Sequence, residues 1–204
     1  SAGNPILGYA TDNALLPKVL FMVILAPVIE EYIFRKQLID RMHVYGEKLA
    51  VITSALMFGL FHGNLSQLFY AFALGLVFGY VYLKTGKLRY SIGLHMLINF
   101  IGSVVGPFFL EKLAVLDTME TMDLAALEPI LPWLLGFGAY VLVLIGLAIT
   151  GLVLLCINKR RVSFAPAELE LPKDSRFKTV YVNVGMILLI LGCAALIISN
   201  VMML

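Results

Sequence analysis

Residues 19–35 read VLFMVILAPVIEEYIFR, an apolar run that ends on two adjacent carboxylates, Glu30 and Glu31, and an arginine, Arg35. A charged side chain at the centre of a bilayer helix costs on the order of 2.5 kcal/mol or more, so charges here imply a polar interior that receives them. On a helix, residues four apart share a face, while neighbours point about 100° apart. Glu31 and Arg35 therefore pair along one face. Glu30 points elsewhere and has no counter-ion of its own. That asymmetry predicts two roles, an orienting Glu31–Arg35 pair and a reactive Glu30. An unpaired carboxylate in a dry site is what a general base working near neutral pH requires. The competing reading is that both glutamates are interfacial and solvated, as charges at span ends commonly are.

The composition around that run is that of a bilayer protein. Of 204 residues, 61% are hydrophobic and only 14% charged, against about 25% charged in soluble domains. The mean hydropathy is +0.95. A net charge of +2 gives no reason to expect a nucleic-acid partner. Cys156 and Cys193 both lie in apolar segments and read as packing residues rather than as a redox or metal pair. The chain opens at Ser1 with no signal-peptide pattern, which predicts that further spans precede it in the intact protein.

Six apolar segments stand out, at residues 17–38, 49–62, 65–83, 91–110, 130–157 and 180–204. A spanning helix needs about 20 apolar residues, so the last four qualify on length alone. The first qualifies only by including its charged end, and the second is short. The expected architecture is an all-α, polytopic transmembrane helix bundle of about six spans. Its expected organisation is an external N-terminal segment over residues 1–16, a four-helix core over 17–110, and an acidic external loop over 111–129. Two C-terminal helices follow in 130–204, joined by a basic linker over 158–179. The acidic loop contains Asp117, Glu120 and Asp123, and predicts a short amphipathic helix before Pro129. Basic residues concentrate around Arg35–Lys48, Lys84–Arg89 and Lys159–Lys178, and by the positive-inside rule those loops are cytoplasmic. Gly75–Gly79 and Gly102–Gly106 are small-xxx-small pairs that predict close helix packing.

Three more polar residues lie inside apolar stretches. His62 closes the second segment in FGLFH, with Phe58 one turn earlier on the same face. His95 and Asn99 share a face of IGLHMLINFIG. Singly, each reads equally as a satisfied polar residue or as interhelical glue. Together with Glu30 they come from three segments, and lipid offers them no partners, so they are expected to converge. Convergence requires the second helix to begin in the cytoplasm, around Met42–Lys48; otherwise His62 lies ~10 Å or more deeper than the others. A carboxylate and a histidine can activate water, and a histidine with an asparagine amide can bind an oxyanion. Neither Gly-x-Ser-x-Gly nor His-Glu-x-x-His is present, which argues against a serine nucleophile and a zincin helix.

EEYIFR, FGLFH and HMLIN, in that order, resemble the Glu-Glu-x-x-x-Arg, Phe-x-x-x-His and His-x-x-x-Asn motifs of the CAAX protease and bacteriocin-processing (Abi) family. The resemblance covers about residues 25–102. It implies an intramembrane endopeptidase with a helix-enclosed cavity open to the cytoplasm, in the cytoplasmic membrane of a bacterium. Glu30 and His62 would then activate water and His95 and Asn99 would bind the oxyanion, with Glu31, Arg35 and Phe58 in support. The family has been described both as metal-dependent and as metal-free. Glu30, His62 and His95 could hold zinc with one open position, whereas Asn99 is a poor zinc ligand and a good oxyanion donor. The metal-free form is the expected one. The implied substrate is a membrane-associated, lipidated or bacteriocin-like peptide. The alternatives are a non-catalytic immunity or scaffold protein, and a proton pathway, the latter weakened by the lack of an inverted repeat. No motif selects one substrate or one oligomeric state.

Overall fold

The computed structural model describes residues 15–114, 116, 127–169 and 171–202, and all regular structure among them is helical. Residues 1–14 of the N-terminal segment, and residues 117–126 with the acidic loop's Asp117, Glu120 and Asp123, lie outside the described residues. So does most of the amphipathic helix expected before Pro129. Helix α1 is a continuous run over residues 15–45. It is followed by α2 (Glu47–Phe61), α3 (Leu65–Thr85), α4 (Leu88–Leu113), α5 (Leu131–Arg161), α6 (Lys173–Tyr181) and α7 (Val184–Met202).

Four of these, α3, α4, α5 and α7, are long and apolar enough to cross a membrane. The other two expected spans fall short for different reasons. Helix α1 is long but carries Lys18, Glu30, Glu31, Arg35 and Lys36. Helix α2 has 15 residues, about 22 Å at 1.5 Å per residue, against a hydrocarbon thickness of about 30 Å. The spans turn apolar side chains outwards: Leu142 is 69% exposed and Ile157 72%. Contiguous apolar surface of that kind suits lipid, since a water-soluble chain rarely exposes it. The protein is an all-α, membrane-integral helical assembly.

The chain divides into two compact units, Ser1–Ile98 with Phe164–Leu204, and Asn99–Ser163. In the second unit, α4 beyond Asn99 packs on α5. Phe109 stacks on Tyr140 with centroids 5.6 Å apart, Phe108 meets Trp133 edge-on at 5.8 Å, and the Tyr140 hydroxyl donates to the Ile101 carbonyl at 3.3 Å.

The first unit is built from hairpins. Gly46, at φ 115°, turns α1 into α2 in a backbone conformation that favours glycine. Glu30 and His62 each lie sixteen residues from Gly46, and Phe34 and Phe58 each lie twelve. An antiparallel pair turned at Gly46 therefore sets those residues at matching heights. Because α2 begins at Glu47, inside the expected Met42–Lys48 window, the depth mismatch does not arise. Gly63, at φ 62°, turns α2 into α3, and the Asn64 side chain caps α3 by accepting from the Ser66 N–H at 2.9 Å. Helices α2 and α3 approach so closely that a Cβ on Gly75 would lie 2.9 Å from Ala55 Cα, and one on Gly79 3.3 Å from Val51. The first small-xxx-small pair is thus a packing surface. At Gly102 nothing among the described residues comes within 4 Å of a Cβ position.

Helix α1 is not regularly wound. Its turns are π-helical over Val19–Leu25 and Tyr32–Ile39, separated by a regular segment, Ala26–Glu31. Pro27 lacks an N–H and crowds the turn before it, which favours wider winding there. Glu30 and Glu31 close the regular segment where the second wide stretch begins, a position where π-turns are often functional.

At the Gly46 end, outside the spanning helices, Glu47 accepts from Lys84 Nζ at 2.7 Å and from the Ala165 N–H at 2.6 Å. Partial burial pushes its carboxyl up, but these two donors outweigh it and hold Glu47 below its ordinary value. The ion pair therefore contributes stability above the unfolded carboxylate range and loses it as pH falls through the lowered folded value. Thermal unfolding of the detergent-solubilised protein between pH 7 and pH 4 should show a smaller loss of Tm in Glu47→Gln than in the wild type.

Candidate active site

Three of the four helices α1–α4 each bring one polar stripe to the site. Spacing along α1 places Glu31 and Arg35 on one face, and the pair is bidentate: Arg35 Nε to Glu31 Oε2 at 3.0 Å and Nη2 to Oε1 at 3.1 Å. Both side chains are 0% exposed. The remaining guanidinium corner donates to Ser54 Oγ at 2.9 Å, and Ser54 in turn donates to the Phe34 carbonyl at 2.7 Å. Ser54, Phe58 and His62 recur every fourth residue of α2 and form one stripe facing α1.

His95, on α4, reaches the same cluster. Its Nδ1 lies 3.1 Å from Glu31 Oε1 and its Nε2 3.6 Å from Glu30 Oε2. Glu31 already accepts two bonds from Arg35, so as a carboxylate it takes a third from His95 Nδ1–H. That fixes the tautomer and turns Nε2 towards Glu30. The 3.6 Å gap is too long for a formed hydrogen bond. Two carboxylates and one guanidinium leave one negative charge, which a proton on Glu30 or His95 cancels. A neutral total is what a site at this depth needs.

Aromatic rings form the walls. Phe58 meets His62 edge-on at 4.8 Å and His95 edge-on at 5.5 Å, so one ring packs against both imidazoles. Phe78 on α3 stacks against His95 at 5.2 Å. The Arg35 guanidinium lies 4.8 Å from the Phe58 centroid and 5.8 Å from that of Phe78, within cation–π range. His62 Nδ1 lies 2.7 Å from the Phe58 carbonyl. A carbonyl can only accept, so Nδ1 carries the proton and Nε2 keeps its lone pair. Glu30, with 21% of its side chain exposed, lies within electrostatic reach of His62 as well. Glu30 and His62 are the accessible members of the cluster, whereas Glu31, Arg35 and His95 are buried.

The structure thus brings together Glu30, Glu31, Arg35, Phe58, His62 and His95. Asn99 lies one turn beyond His95 on the same helix. Ser54 and Phe78 were not singled out in the sequence. Ser54 carried a signal, the four-residue spacing to Phe58 and His62. Phe78 carried a weaker one, its place inside the Gly75–Gly79 packing pair.

Residues 12–101 match the family model described as type II CAAX prenyl endopeptidase, Rce1-like. This part of the chain is similar to the CAAX protease family. The membrane-embedded CAAX protease MroQ of Staphylococcus aureus (strain USA300) is 31% identical over 88 residues, which are 40% of this chain and 36% of that protein. The match therefore spans little more than a third of that relative's length. No solved structure matches the chain. The matched segment holds every residue of the cluster, and α5, α6 and α7 lie beyond it.

Zinc was a possible occupant of Glu30, His62 and His95. Among the described residues, no three His, Cys, Asp or Glu side chains are grouped so as to hold a metal ion. His95 Nδ1 is taken by Glu31, which leaves Nε2 facing Glu30. No step below is routed through a metal.

Proposed function

We infer that this chain carries the catalytic part of an intramembrane endopeptidase that hydrolyses a peptide bond in a membrane-associated, lipidated or bacteriocin-like peptide. The observation that carries the reading is the split between two adjacent carboxylates. Glu31 is buried on Arg35 and His95, while Glu30 is accessible between His95 and His62. Glu30 takes a proton from a water held with His62 Nε2, and the water oxygen adds to the scissile carbonyl carbon. The oxyanion is met by the Asn99 amide and by His95, whose Nε2 can donate once protonated. Collapse of the intermediate breaks the C–N bond, and the proton held by Glu30 passes to the leaving amine. Glu31 and Arg35 hold His95 in register and do not touch substrate.

The positive-inside rule, applied to the basic Lys84–Arg89 turn and the Lys159–Lys178 linker, supports a cytoplasmic side for those ends of the helices, and the substrate would reach the site from that side. A non-catalytic immunity role needs none of this geometry. His62→Ala should lower cleavage of a membrane-associated peptide by the purified protein by about 10²-fold or more, the range for one acid–base partner. Cleavage at the wild-type rate in His62→Ala would overturn the reading.

A further inference from the structure

We propose that Asn200, in the last turn of α7, is a positioning residue for His62. Helices α6 and α7 lie outside the segment that matches the family model, yet the end of α6 and the length of α7 are fastened along the second half of α2. At the middle of α2 the hydroxyls of Thr53 and of Tyr181, the last residue of α6, lie 2.7 Å apart. Further along, Met186 and Ile190 pack on the cluster of Phe34, Met57, Phe58 and Ala71. At the far end, Asn200 Nδ2 donates to the Gly63 carbonyl at 2.6 Å, and Leu196 Cβ would lie 3.2 Å from a Cβ on Gly63.

Gly63 immediately follows His62, and its left-handed conformation ends α2. Gly63 lies past the C-cap of α2, so its carbonyl is outside the helical ladder, and a backbone carbonyl away from water needs another partner. Asn200 supplies that partner. The sequence supports the same conclusion, because Asn200 is a polar amide inside the apolar run LIISNVMML. Helix α2 is too short to be held by lipid on its own, so the height of its last residue is set by what grips the turn. Phe58 fixes the ring orientation of His62; Asn200 fixes where the ring stands relative to Glu30. The catalytic consequence rests on the hydrolase reading above, while the positioning does not.

The test uses the chain's three histidines, His43, His62 and His95, as internal controls. The purified full chain in detergent is treated with diethyl pyrocarbonate, and each histidine is followed by mass spectrometry. Asn200→Leu keeps the branching of the side chain and removes the donor. It should speed His62 modification about fivefold, the size of one lost hydrogen bond, with His43 unchanged. Asn200→Gln, which keeps the amide, should return His62 to the wild-type rate. Tyr181→Phe, which cuts only the distant fastening, should leave it unchanged. In peptide cleavage, Asn200→Leu should lower kcat by about tenfold with KM unaltered. An unchanged His62 rate in Asn200→Leu, an equal rise at all three histidines, or a Gln variant that behaves like Leu would each overturn the proposal. If the wild type cleaves no peptide, the modification rates still decide the positioning, and only the hydrolase reading fails.

Discussion

Glu30→Gln is expected to lower peptide hydrolysis by about 10²–10⁴-fold, the contribution of a positioned general base, with the thermal unfolding midpoint close to the wild type. The two halves of that result come from the same geometry. Glu30 keeps 21% of its side chain exposed, and its nearest partner, His95 Nε2, lies 3.6 Å away, beyond a formed hydrogen bond. No structural bond is therefore lost when the carboxylate becomes an amide. Gln is nearly isosteric and removes only the ability to accept a proton. A large drop in Tm would mean instead that Glu30 is a structural group, and the division of labour between the two glutamates would be wrong.

Arg35→Leu should do the opposite, and cost stability first. It leaves Glu31, 0% exposed, with His95 as its one remaining donor. Removing one partner of a buried ion pair costs about 3–5 kcal/mol, because the other charge stays behind uncompensated. The Ser54 hydroxyl also loses a donor, and the Phe58 and Phe78 rings lose the guanidinium between them. Glu31→Leu combined with Arg35→Leu removes both charges, and should recover most of the lost stability in urea or thermal unfolding of the solubilised protein. Activity should not return with it, since His95 then has no acceptor for Nδ1–H and its ring is free to turn away from Glu30. Recovery of both stability and activity in the double variant would reduce the Glu31–Arg35 pair to a packing device.

Much of the site was legible because membrane segments make polar residues conspicuous. Glu30, His62, His95 and Asn99 were identifiable as a group needing partners before any geometry was known, and the Glu31–Arg35 pairing followed from four-residue spacing. The height match of Glu30 and His62 was also present in the chain, as equal distances from Gly46. It was obscured by ending the first helix at Leu38, where hydropathy stops, although charged turns carry α1 on to residue 45. The third bond to Glu31 was not legible. It joins residues 64 positions apart, and no local pattern announces a contact at that separation. Six spans were expected, and four helices meet the length and composition for crossing; hydropathy marks α2 as apolar, and its 15 residues pack on α3 and α7.

The central claim is that Glu30 activates a water molecule that becomes part of the product. It is tested most directly by cleaving a membrane-associated peptide in ¹⁸O-water with the purified wild type and with Glu30→Gln, each with and without a chelator. Mass spectrometry of the new carboxyl terminus should show one ¹⁸O atom in the wild-type product, an equal yield with chelator present, and no product above background from Glu30→Gln. Cleavage by Glu30→Gln at the wild-type rate, or cleavage lost to the chelator and restored by zinc, would contradict it.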